Sequence, residues 1–182
     1  GAPNPDTNVS VDVRAQASAS VEALFRLMEA GIRPRDIMTP RAFENAIATL
    51  FAGLGASTEQ AAATARHMTW CEMVGRHNFG IERIPIHVKR LRAGVLDGRA
   101  GIVAETIAPS LMRLDGGGGF GYCAAERGME QAIAMARGTG IGIVGVRNSN
   151  FFGAGAFYVN MAAASGMIGL AMSNSFPKVV AH

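Results

Sequence analysis

The chain has 182 residues, 49% hydrophobic and 17% charged, with a mean hydropathy of +0.20, so it can build a core and has too little charge to stay disordered. Its formal net charge of +3 is carried by arginines and lysines spread along the sequence; without a basic patch, neither nucleic acid nor a charged membrane surface is expected as a partner. There is no apolar run of about 18 residues and no signal-peptide pattern, and Cys71 and Cys123 lie far apart outside any CxxC spacing, which predicts a cytoplasmic protein with two buried free thiols.

Residues 1–19 carry Pro, Asn, Asp and Ser with no apolar period, as in a flexible arm. Residues 21–30 place Val21, Leu24, Phe25 and Met28 on one face of a short helix ended by Gly31. Thr39 is a helix cap followed by Pro40 at the first helical position, and Phe43, Ile47, Leu50, Phe51 and Leu54 then recur at helical spacing up to the stop at Gly53 and Gly55. Ser57, with Gln60 three residues on, predicts a capping box for a second helix running through Trp70 and Met73. A third helix over 82–93 carries Ile84, Val88 and Leu91, and Gly94 supplies a left-handed end.

Beyond residue 100 the pattern alternates. Strands are predicted at 102–107 and 111–114, a helix at 120–137, a buried strand at 141–146, a helix at 152–165 and a strand at 167–172. The fold class is therefore α/β: a helical N-terminal segment (39–100), preceded by an arm and short helix (1–38), then a mixed α/β sheet layer (101–182). The chain stops a few residues after the last predicted strand, so that layer reads as partial.

The run from Asp115 through Gly116, Gly117, Gly118 and Gly119 to Phe120 and Gly121 contains a formal GxGxxG between a strand and a helix, the context of a dinucleotide-binding turn. Four consecutive glycines match many spacings, and the next strand ends in Arg147 with no acidic residue at the ribose-binding distance. A tight strand-to-helix turn packed closely on the sheet is the favoured alternative.

Two segments concentrate polar chemistry: Gly75-Arg76-His77-Asn78-Phe79-Gly80-Ile81-Glu82-Arg83 and Arg147-Asn148-Ser149-Asn150-Phe151-Phe152-Gly153. Together with the ordered Gly94 to Gly101 stretch, they resemble the malate/L-lactate/ureidoglycolate dehydrogenase family of non-Rossmann NAD(P)-dependent oxidoreductases, whose segments read approximately Ser-His-Gly-x-x-Arg and Asn-Ser-Asn-His-Phe-Gly. The resemblance runs from 39 to 182, roughly the N-terminal half of such proteins, and sets the glycine run in a segment that does not bind the cofactor by a Rossmann turn. Both family histidines fall on phenylalanine, Phe79 and Phe151. Reduction of a carbonyl or imine by hydride needs a proton delivered by a group such as imidazole, which phenylalanine cannot supply. The resemblance thus implies an oxidoreductase of uncertain turnover with a degenerate active site.

Within that expectation His77 and His87 are the replacement acid/base candidates, each with a purely structural alternative, and His67 is expected to be structural. Arg83 suits a substrate carboxylate through its planar donor fork, or else a surface salt bridge. Asn78, Asn150, Phe79 and Phe151 complete the expected substrate contacts. Asn148, Ser149, Gly153, Asn174 and Ser175 are the expected contacts to NADH or NADPH, with turn capping as the alternative for the first two. Phe120, Phe151, Phe152, Phe157 and Tyr158 surround the site with aromatic surface. No His, Cys, Asp or Glu pair has metal-ligand spacing. Three functions remain open: a dehydrogenase or reductase of a small 2-oxo or 2-hydroxy acid or cyclic imine; a repurposed non-redox pocket for an apolar ligand; and an inactive half that pairs with a second chain. The expected partners are a small molecule and either a second copy or a second chain.

Overall fold

The computed structural model describes Arg26 and residues 38–174. The arm and short helix expected before residue 38 lie outside the described residues, apart from Arg26, which is helical; Ser175 also lies outside them.

Helix α1 (Pro40–Gly53) starts where expected: Thr39 Oγ1 accepts from the Ala42 N–H at 3.2 Å, and Phe43, Ile47, Leu50 and Phe51 are buried along one face. Helix α2 (Thr58–Met73) begins with Ser57 Oγ accepting from the Gln60 N–H at 3.3 Å. The capping box is only half made. The Gln60 side chain is buried and turned away from the cap: Nε2 donates to the Ala100 carbonyl (2.8 Å), and Oε1 accepts from the Phe120 N–H (3.0 Å). Two buried backbone groups would otherwise lack partners, and satisfying them outweighs the cap.

The third predicted helix opens as two 3-10 turns, His77–Phe79 and Ile81–Arg83, before α3 (Ile84–Arg92). Pro85, which has no N–H, sits in the first turn of α3, and Gly94 closes the segment with φ +67°. Phe43, Ile47, Phe51, Met68, Ile81, Ile84, Leu96, Phe120 and Tyr122 form the core on which α1, α2 and the 3-10 connector meet. Each large side chain buried there contributes roughly 1.5–3 kcal/mol.

Strands β1 (Val103–Ala108) and β2 (Leu111–Asp115) pair antiparallel, and β3 (Ile143–Arg147) lies parallel to β2 with Leu111 opposite Ile143 and Asp115 opposite Arg147. Parallel pairing requires a crossover, which helix α4 (Gly121–Thr139) supplies. Gly128 lets α4 settle on the sheet; a Cβ there would stand 3.3 Å from Val146 and 3.6 Å from Val144. Helix α5 (Gly155–Ala164) follows β3.

Two strand expectations change. β3 is not a buried strand: Ile143 is 51% exposed and Val146 38%. Residues 167–172 form no ladder with any described strand, and Ile168, Leu170 and Met172 are almost fully exposed. Apolar alternation favours a strand only where an edge is there to pair with. A groove of about 710 Å³ runs between α4, β3 and this segment, lined mostly by Ala, Gly, Ile, Leu and Met, and it shares no residue with the two polar segments apart from Phe152. Among the described residues no helix is long and apolar enough to cross a membrane.

Candidate active site

Asn148 to Gly153 and the glycine run are joined by backbone pairing. The Gly116 N–H donates to the Arg147 carbonyl (2.9 Å), the Gly118 N–H to the Asn148 carbonyl (2.7 Å) and the Asn150 N–H to the Gly119 carbonyl (3.0 Å). Gly117 N–H donates to Asp115 Oδ1 and Gly119 N–H to the Gly116 carbonyl. A pyrophosphate would need these donors, and they are engaged. The glycines instead allow close approach: a Cβ on Gly121 would overlap the Asn150 and Phe151 carbonyl oxygens. The run is the tight packed turn.

The Asp115 carboxylate organises the open side of this turn. It accepts from Gly117 N–H, from Asn148 Nδ2 (3.0 Å) and from Arg147 Nε (3.1 Å). Those contacts, the Gly117 hydrogen bond foremost, hold its carboxyl below the usual carboxylate range. Asn148, at φ +50°, bends the chain out of β3.

The second centre is the 3-10 connector. Glu72, at the end of α2, is fully buried. Its Oε2 lies 2.6 Å from His77 Nδ1, and its Oε1 accepts from the Ile81 N–H at 2.9 Å. Gly80 makes room for this, because a Cβ there would run into the Glu72 carboxylate. An ionised carboxylate only accepts hydrogen bonds, so the pairing puts the proton of a neutral His77 on Nδ1 and leaves Nε2 free to take or give one. His77 itself is partly exposed, with 19% of its side chain accessible.

Beside it, the rings of Phe79 and Phe151 lie 6.1 Å apart and nearly parallel, at 12°. The Arg83 guanidinium sits 4.5 Å above the Phe151 ring centre and 6.0 Å from that of Phe79, with Nε donating to the Asn78 carbonyl at 2.7 Å. Among the described residues no carboxylate bonds Arg83. Beneath this pair, His87 Nε2 is 2.9 Å from the Tyr122 hydroxyl, and both rings touch Phe151. Burial pushes His87 down to about 4, with help from Arg83 and Arg90. His67 is also pushed down to about 4 by burial; its Nε2 accepts from the Ala154 N–H at 3.0 Å, and its ring lies 4.6 Å from Tyr122. Gly153 fits against both, since a Cβ there would overlap His67.

The expectation of a site without a catalytic histidine is thereby overturned. Positions 79 and 151 are phenylalanine, but His77, held by a buried Glu72, stands two residues before Phe79. This pair has the form of an intact catalytic dyad, which overturns the degenerate active site. The structure brings His77, Asn78, Phe79, Arg83 and Phe151 together. His87 faces the same aromatic cluster from within the core. Asn150 spends its side chain on the Gly118 and Gly119 carbonyls (2.6 and 3.3 Å), and Asn148 spends its own on Asp115. Ser149 and Asn174 are exposed, and Gly153 is partly buried. Glu72 and Tyr122 escaped sequence reasoning, and Gln60 is legible there only as a cap. For Glu72 a signal was present: a lone carboxylate at an apolar helix end, five residues before a histidine.

A family model described as malate/L-lactate dehydrogenase matches residues 38–182. The chain is 39% identical over 126 residues to the malate dehydrogenase of Pyrococcus abyssi, covering 69% of this chain and 35% of that protein. It is 34% identical over 143 residues to the malate/(S)-sulfolactate dehydrogenase of Methanothermus fervidus, covering 79% and 42%. The solved malate dehydrogenase of Pyrococcus horikoshii OT3 superposes with a TM-score of 0.66 at 31% identity, over 70% of this chain and 36% of that one. The chain thus spans well under half the length of these relatives. The helical opening and small mixed sheet layer are those of their non-Rossmann fold, and the chain belongs to the malate/L-lactate dehydrogenase family.

Proposed function

We propose that this chain works as an NAD(P)-dependent oxidoreductase on a small 2-oxo or 2-hydroxy acid, with the Glu72–His77 pair moving the proton and Arg83 holding the substrate carboxylate. The observation that carries the reading is the 2.6 Å contact between His77 Nδ1 and the fully buried Glu72. In the reducing direction Nε2 of a protonated His77 donates to the carbonyl oxygen as negative charge develops there, and Glu72 keeps the ring oriented. In the oxidising direction the neutral ring takes the hydroxyl proton. Arg83 is pre-positioned by the Asn78 carbonyl and the Phe151 face, so little side-chain freedom is lost when it grips a carboxylate.

The nicotinamide group, when bound, supplies or accepts the hydride. The residues present fit part of it: exposed Ser149 and Asn174 would hold polar portions, with Gly153 and Asn148 bordering them. The glycine turn does not fit a pyrophosphate, because its N–H groups are paired. Self-association, or a second chain beside the site, belongs to the same proposal.

The test is NADH- and NADPH-linked reduction of a panel of 2-oxo acids, with native mass recorded on the same sample. His77→Gln should lower kcat by about 10²–10⁴-fold with a smaller change in KM, the range typical of a lost general acid. Glu72→Gln should lower kcat less, and Arg83→Gln should mainly raise KM. Undiminished turnover in His77→Gln would sink the assignment.

A further inference from the structure

We infer that the substrate is a monocarboxylate whose side chain is apolar, with an aryl group fitting best, rather than a dicarboxylate or sulfonate of the kind named for the relatives. This rests on the reading of Arg83 as the carboxylate anchor. Three features of the site point the same way. Phe79 and Phe151 present two nearly parallel rings 6.1 Å apart, both partly exposed, directly beside the anchor. Aromatic faces carry negative charge density, which attracts the Arg83 guanidinium lying over Phe151 and disfavours a second anionic group in the same place. The Glu72 carboxylate behind His77 also disfavours a second anion, and the next layer down is the His87–Tyr122 pair. One guanidinium meets one carboxylate, and the surface beside it is the Phe79–Phe151 pair. A substrate ring extending from the α-carbon would continue the offset stack, whereas a second carboxylate would lose water against the two ring faces.

The experiment is titration calorimetry of the full chain at saturating NADH, which forms a non-reacting complex with hydroxy acids, using L-phenyllactate and L-malate as probes. Phenyllactate should bind with a Kd at least tenfold lower than that of malate. Phe151→Ala should reduce that ratio to near one. Phe151→Leu, which keeps the apolar bulk and guards against a misfolded variant, should reduce it at least threefold. Equal affinities, or tighter malate, with both acids weakened in Arg83→Gln would overturn this inference and leave the carboxylate anchor standing. Failure of both acids to bind would overturn the anchor and the inference together. Loss of NADH affinity in Phe151→Ala with the acid ratio unchanged would assign the ring pair to the nicotinamide and also overturn the inference.

Discussion

His67 and His87 are buried neutral imidazoles, and acid should unfold the protein through them. Both have a pKa of about 4 when folded, against an ordinary 6.5, because burial penalises the charged ring. Each also keeps a buried Nδ1 without a hydrogen-bond partner, so the fold offers a proton on the ring no ready acceptor. Since the folded value is the lower one, the unfolded chain binds the extra protons between about pH 4 and 6.5. The stabilisation is complete above about pH 6.5 and is lost as pH falls through that window. At 1.36 kcal/mol per unit, lowering the pH from 7.5 to 5 should cost about 2 kcal/mol for each histidine and about 4 kcal/mol for the two. With a urea dependence of about 2 kcal/mol per molar, the unfolding midpoint should fall by roughly 2 M. The assay is urea unfolding followed by circular dichroism at half-unit pH steps, for the parent chain and for His67→Gln and His87→Gln. Each substitution should remove about one proton from the slope of stability against pH. An unchanged slope in both variants would refute the reasoning, because the protons would then be bound elsewhere.

Two further outcomes concern packing. Gly121→Ala should destabilise by about 3 kcal/mol or more, since the new methyl group meets two backbone carbonyls that cannot yield as a flexible side chain would; thermal unfolding should drop by roughly 10 °C, and a drop under 2 °C would show that the turn can open. Gln60→Ala should cost about 3 kcal/mol, because the Ala100 carbonyl and the Phe120 N–H are both left unpaired; a loss below about 1 kcal/mol in urea would mean that water replaces the amide.

The parts legible in the sequence are those where one face of an element is apolar. Helix α1 is the clear case: its cap, its proline and its four buried large residues are all written in the local pattern. The inward face of α2 is not legible in that way, because Gln60, Thr64, His67 and Glu72 are among its buried residues, and polar residues at those positions resemble a solvated face. The spacing from Ser57 points Gln60 to a cap, whereas its long-range role depends on residues 40 and 60 positions away. The phenylalanines at 79 and 151 drew attention to missing imidazoles, whereas the meeting of Glu72 with His77 depends on how the chain folds back after Gly75 and on the space left by Gly80. For 167–172 the periodicity was present, but pairing is a property of two strands and one sequence segment cannot report it.

Helix α2 also acts as a ruler. Gln60 grips the turn that opens α4, His67 grips the Ala154 amide just beyond the Phe151 loop, and Glu72 sets the ring of His77. These three grips sit on one rigid rod, about 10 Å and then about 8 Å apart along its axis. Distances between the loops of the site are therefore counted out in helical residues rather than negotiated between the loops themselves. Substitutions in the loops can change what the site recognises while leaving its dimensions alone. Deleting one residue between Gln60 and His67 would instead swing the two grips apart by about 100° and pull the site out of alignment, even though no loop residue had been altered.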